Sequence, residues 1–186
     1  MSASDFKELC AKGLKSLGGY YDTYKGTWPN ILINEFKIRG VHLPVKIGGE
    51  KIDLLLKGAL DKVEILDEKK VNVVDYKTGK AKSRNELEGK TKNADSNYKR
   101  QLVFYKLLLG LDEANRYEMK SGELDFTEPD EKMRYKKERF EITDEEVEEL
   151  KKVVGRVASE IAELEFWDKT CDEKDCEYCL LRQHLR

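Results

Sequence analysis

The 186-residue chain has no stretch approaching the roughly 18 to 20 consecutive apolar residues that cross a bilayer, so no bilayer-spanning helix is expected. Its opening residues, MSASDFKELCAKG, lack the apolar run of a secretory signal. The chain is therefore expected to be soluble and cytoplasmic, with no membrane partner. An excess of one charge is also missing: 35 basic against 37 acidic side chains leave a formal net charge of -2, although 39% of residues are charged. That balance neither requires nor excludes a nucleic-acid partner, because a local basic surface can coexist with an acidic one. No G-x-x-x-x-G-K-[ST] phosphate loop occurs, so no ATP-driven motor is expected. Four cysteines in a cytosolic chain do not read as a disulfide framework, and their spacing has to be judged as thiol or metal chemistry.

What is present fits one domain with a short tail. Ser4 or Asp5 can cap a first helix carrying Phe6, Leu9, Cys10, Leu14, Leu17 and Tyr21 at three- and four-residue steps. From residue 30 the pattern changes to short apolar runs. NILINEFKI, VHLPVKI, KIDLLLKGALDKVEIL and VNVVDYK are separated by Arg39-Gly40, Gly48-Gly49-Glu50 and DEKK, the punctuation of a meander of four strands. The polar, lysine-rich segment from Gly79 to Lys99 reads as a mobile loop. NYKRQLVFYKLLLGL is a helix apolar around much of its circumference, RYEMKSGELDF and MRYKKERFEI are two further strands, and Thr143 with Glu146 opens a second long helix as a capping box. The expected class is mixed α/β (α+β), with a central, mostly antiparallel or mixed sheet flanked by helices.

Two aspartates interrupt apolar runs where strands are about to end: Asp61 in LLLKGALDKVEIL and Asp75 in VNVVDYK. Carboxylates brought together on adjacent strands repel unless a cation neutralises them. A hard divalent cation, magnesium or manganese, suits two carboxylates and a main-chain carbonyl, here that of Tyr76. Lys77, two residues after Asp75, shares its face of the strand and can orient an attacking water or stabilise charge developing on a phosphate. Gln101 and Tyr105 are four apart and share a helix face that can point back toward the strand ends. The bland alternative is a solvated ion pair at a strand terminus.

The ordered set G-x-x-D (Gly58, Asp61), D-x-K-T-G (Asp75, Lys77, Thr78, Gly79) and Q-x-x-x-Y (Gln101, Tyr105) resembles the RecB-like branch of the PD-(D/E)XK nuclease superfamily, as in UvrD-, RecB- and AddB-type helicase-nucleases. The resemblance implies a restriction-endonuclease-like core over residues 1–165, with a cysteine-containing tail over residues 166–186 packed on the same domain. It implies that Asp61 and Asp75 bind the catalytic metal ion, that Lys77 is the catalytic lysine, and that Gln101 and Tyr105 form the helix motif. An upstream acidic or histidine ligand is also implied, and Glu35 is the first candidate, with His42 as the alternative.

The tail TCDEKDCEYCLLRQHLR carries Cys171, Cys176 and Cys179, followed by His184. Clustered thiolates hold zinc or iron–sulfur clusters. Some members of the resembled branch join such a tail to one cysteine near the start to hold a [4Fe–4S] cluster, which would make Cys10 the distant ligand. Between Lys77 and Arg100 eight basic residues face three acidic ones, a composition suited to gathering a phosphate backbone. The expected function is a metal-dependent DNA nuclease, an exonuclease module of DNA repair or recombination partnered by a helicase domain or subunit. The rivals are a catalytically silent DNA-binding module of the same fold and a CRISPR-associated iron–sulfur nuclease.

Overall fold

The computed structural model describes residues 2–29, 32–92, 94, 96–114, 116–173 and 175–184. Helix α1 (Ala3–Tyr24) opens at Ser2, whose hydroxyl accepts from the Asp5 amide while the Asp5 carboxylate accepts from the Ser2 amide. This reciprocal cap satisfies two helix-end donors. Five strands follow in one sheet, in the order β1 (Leu32–Ile47), β2 (Glu50–Asp67), β3 (Lys70–Lys77), β4 (Glu118–Phe126) and β5 (Lys137–Phe140). Between β3 and β4 lie α2 (Arg84–Leu87) and α3 (Asn97–Gly110). After β5 come α4 (Asp144–Ala162), a 3-10 turn at Glu165–Asp168, and α5 (Glu177–His184). Among the described residues no helix is long and apolar enough to cross a membrane.

The sheet is mixed. β3 and β4 run parallel, joined by the crossover through α2 and α3, and the other neighbours are antiparallel. Six strands are expected from the sequence and, among the described residues, five form, because Arg39-Gly40 does not turn the chain. β1 carries two residues between Ile38 and Val41 where β2 carries one between Leu56 and Gly58, so the pair is a bulge within one continuous strand. The turn comes at Gly48-Gly49, both with positive φ (58° and 87°), a backbone that suits glycine in a two-residue hairpin.

The segment from Gly79 to Lys99 also departs from expectation. Its single turn α2 is capped by Ser83 and Glu86, and Leu87 is 1% exposed. One leucine in a polar stretch carries no periodicity to read, yet it pins the segment to the core. On that side of the sheet, Val63, Val73, Leu124 and Phe126 pack beneath Leu102 and Leu108 of α3, all completely buried.

The opposite side is charged. Along β4, Leu124 and Phe126 enter the core, so the alternating Glu123 and Asp125 face the other way, and both are buried. Arg139 and Lys137 of β5 meet them at 2.8 Å each. Farther along, Glu64 joins Lys62 and Asn72, and Ser121 donates to Asn72. α1 docks here through Tyr20, whose phenol donates to Asp125 at 2.5 Å and whose ring meets those of Tyr24, Tyr76 and Tyr135. Phe6, Leu9, Leu14 and Leu17, earlier on α1, are exposed.

Burial, and then the Asp125 carboxylate to which it donates, hold the Tyr20 phenol above the usual tyrosine range. A raised folded value stabilises the fold fully below the unfolded value near 10 and loses that contribution as pH rises beyond it. Tyr20→Phe is therefore expected to cost about 1 to 3 kcal/mol at neutral pH, read from urea unfolding. The gap between wild type and variant should narrow above pH about 10.

Candidate active site

Strand β2 breaks its alternation where it meets the end of β3. Leu60 and Val63 are both fully buried although an odd number of positions separates them. At the same level of β1, Glu35 takes a left-handed φ of 53°. The regular ladder between β2 and β3 reaches Lys62 opposite Val74. Beyond it the Asp61 side chain takes over, its Oδ2 accepting from the Tyr76 amide at 2.9 Å. A carboxylate thus satisfies an amide that main-chain pairing leaves behind.

Asp75 is 2% exposed, and a carboxylate so buried must be paired or hydrogen-bonded. Helix α3 supplies the partners. Gln101 Nε2 and the Tyr105 hydroxyl both donate to Asp75 Oδ1 at 2.7 Å, and Gln101 Nε2 also reaches the Tyr105 oxygen at 2.6 Å. Lys77, on the same strand face as Asp75, donates to Gln101 Oε1 at 2.6 Å. Its ammonium lies 2.6 Å from Asp75 Oδ2 but off the hydrogen-bonding direction, which leaves that buried oxygen attracted by charge yet without a hydrogen-bond donor. Burial, and then the bond to Asp75, push the Tyr105 phenol above its usual value, so it remains protonated and donating at ordinary pH.

This donor set fits a hard divalent cation. A buried acceptor oxygen without a donor, a second carboxylate at the neighbouring strand and the Tyr76 carbonyl are oxygen ligands of the kind magnesium and manganese take, with water completing the shell. The strand end is held from the far side by Thr127, whose amide and hydroxyl donate to the Lys77 carbonyl at 2.9 and 3.3 Å. Past it opens a cavity of about 480 Å3 lined by Lys80, Lys132 and Arg134 together with Asp130 and Glu131.

The structure thus brings Asp75, Lys77, Gln101 and Tyr105 into one bonded set, with Asp61 attached through Tyr76. Glu35 lies across from Asp61, between the pairs Asn34–Lys62 and Phe36–Leu60, and is exposed. His42 pairs with Leu55 farther along β1, also exposed. Among the described residues, one set of three or more acidic, histidine or cysteine ligand atoms lies mutually within 4.8 Å, and it is Cys171, Cys176 and Cys179. Cys10, exposed on α1, is outside that set. The His184 side chain lies outside the described residues.

One residue at the site escapes the sequence reading. Tyr98 lies one turn before Gln101, and its ring centroid is 4.7 Å from the Lys77 ammonium and 4.7 Å from that of Lys82. The signal for it is its spacing, since positions 98, 101 and 105 fall on one helical face.

A family model described as the PD-(D/E)XK nuclease superfamily matches residues 16–184. Among solved structures, the crystal structure of SSO0001 is similar, with 20% identity and a TM-score of 0.46 over 95% of this chain and 74% of that one. No curated protein matches.

Gly58, the glycine of the G-x-x-D motif, has a packing reason. A Cβ there would lie 2.5 Å from Leu108 Cδ1, so the absence of a side chain sets how closely α3 approaches β2. Gly58→Ala is expected to cost about 1 to 3 kcal/mol through overpacking. Adding Leu108→Ala should make the second change cheaper than either alone predicts, which a double-mutant cycle of urea midpoints will show.

Proposed function

The chain belongs to the PD-(D/E)XK nuclease superfamily, whose members are generally nucleases, and we propose that it is a magnesium- or manganese-dependent deoxyribonuclease of the RecB-like branch. Its five-stranded mixed sheet flanked by helices is consistent with the restriction-endonuclease-like fold of that superfamily. The observation that carries the reading is Asp75, a carboxylate with one oxygen saturated by Gln101 and Tyr105 and the other lacking a hydrogen-bond donor beside the Lys77 ammonium. An oxygen without a donor is not distinctive by itself, since Asp125 on the opposite face leaves one as well; Asp75 differs in lying at the strand end beside Lys77, Gln101 and the Asp61–Tyr76 bond.

In this reading Asp61, Asp75 and the Tyr76 carbonyl hold the ion. Glu35, exposed on β1 across from Asp61, is the further acidic candidate. The ion, when bound, supplies Lewis acidity and lowers the pKa of water. The remaining work belongs to the chain. Gln101 fixes the Lys77 ammonium, which faces the phosphate and stabilises charge developing on it. Tyr105, kept protonated by burial, holds Asp75 in one orientation through its hydroxyl. The substrate is DNA, and the role is that of an exonuclease module of repair or recombination, working with a helicase domain or subunit in the cytoplasm. Residues 1–165 form the nuclease domain and residues 166–186 its cysteine tail.

The tail suits a single thiophilic ion such as zinc better than an iron–sulfur cube. Cys171 and Cys179 sulfurs stand 3.6 Å apart, near the spacing of about 3.8 Å that tetrahedral Zn–S bonds of about 2.3 Å require. In a [4Fe–4S] cube each thiolate binds a different iron, which sets the sulfurs farther apart, and Cys10 does not join the three.

Incubation of plasmid and single-stranded DNA with the protein should give degradation in magnesium or manganese and none in EDTA. Asp75→Asn, with the far-ultraviolet circular dichroism of the wild type, should lower the rate by about 100-fold or more. A wild type that degrades neither DNA with either metal would leave a silent DNA-binding module as the remaining reading. Elemental analysis of anaerobically purified protein should find about one zinc per chain, lost on Cys176→Ser. A brown, iron-containing preparation would instead establish the cluster.

A further inference from the structure

We propose that Lys82 is a second phosphate-contacting cation of the cutting site, held there on the Tyr98 ring that it shares with Lys77. The proposal rests on the nuclease reading and extends it to the backbone phosphate beside the scissile one.

Two ammoniums converge on one aromatic ring, each 4.7 Å from its centroid. Each gains from the ring quadrupole, but the two repel one another. Lys77 has a counter-charge in Asp75 and an acceptor in Gln101. Lys82 is exposed and, among the described residues, forms no ion pair. The Glu86 carboxylate feels the Lys82 charge but is held by Ser83 and makes no ion pair with it, so the two like charges still gain from a further anion, and the anion of a nuclease substrate is a phosphate diester.

The placement of Lys82 is built. Its carbonyl accepts from Lys136 Nζ at 2.9 Å. The next residue, Ser83, caps α2, which Leu87 anchors in the core. Arg84 ties the same turn to the Arg139 carbonyl at 3.0 Å and to Glu138 at 3.1 Å. The Tyr98 ring is itself braced edge-on by the completely buried Phe126, with centroids 6.3 Å apart. A lysine on a freely moving loop would have none of these attachments. The shared ring also limits the two ammoniums to a separation no larger than the sum of their distances from it, within reach of neighbouring phosphates of one strand.

Binding of a single-stranded oligonucleotide, measured with calcium in place of magnesium to suppress cleavage, tests the assignment alongside cleavage in manganese. Lys82→Gln should weaken binding by about tenfold and reduce the slope of log affinity against log salt by about one. Lys92→Gln removes the same charge from the stretch after α2 and should have a clearly smaller effect. Tyr98→Phe keeps the ring and should bind more tightly than Tyr98→Leu. Tyr98→Leu should reproduce the binding loss of Lys82→Gln and also lower kcat, because Lys77 loses the same platform. If Lys82→Gln binds no more weakly than Lys92→Gln, or Tyr98→Leu binds as wild type does, the assignment is overturned while a cutting wild type leaves the nuclease reading intact. A wild type that neither binds nor cuts overturns both.

Discussion

The structure depends on one buried carboxylate at the end of a strand. Asp75 is out of water, and an unpaired charge there would cost several kcal/mol. Its stability requires the charge of the Lys77 ammonium two residues along the strand and hydrogen-bond donors from outside it, which are Gln101 and Tyr105 of α3. That requirement fixes the seat of α3, and the seat of α3 in turn requires close approach to the sheet. Gly58 and Gly122 provide it: a Cβ on Gly122 would lie 3.0 Å from Leu102, much as one on Gly58 would meet Leu108. The chemistry of one oxygen pair thus propagates into the absence of side chains on both neighbouring strands.

The two faces of the sheet solve different problems. Under α3 and α4 the core is apolar and anchors the helix that serves the site. On the other face, the buried Asp125, Glu123 and Lys62 each meet an opposite charge, from Lys137, the half-exposed Arg139 and Glu64. Such pairs contribute little net stability compared with apolar packing, but breaking one is costly. They hold β3, β4 and β5 in a defined arrangement from behind, and Tyr20 brings α1 into it. Tyr76 links the faces, since its amide meets Asp61 while its ring packs on Tyr20 and lies 5.4 Å from the Lys62 ammonium.

Much of this is legible in the sequence, for identifiable reasons. The mixed class, the capped helix at Thr143 and the strand ending in Asp75 follow from periodicity and punctuation. The two-residue repeat of strands pairs Lys77 with Asp75 and the four-residue step of helices pairs Gln101 with Tyr105, while it is the resemblance that brings the two pairs together. Features without a period stay hidden. Arg39-Gly40 has the composition of a turn but sits where two long strands are already paired, and the ladder carries the chain through as a bulge. Leu87 is a lone apolar residue, and its burial depends on a cavity formed by distant elements. Tyr98 is legible only once its helix is known to face the site, because a tyrosine at that spacing serves a core equally well.

Asp61 does two jobs. Besides offering a carboxylate to the site, it closes the end of the β2–β3 ladder by accepting the Tyr76 amide. Selection for folding alone would therefore preserve it, even in a lineage that had given up cutting. Its presence in a chain testifies to the architecture as much as to any chemistry.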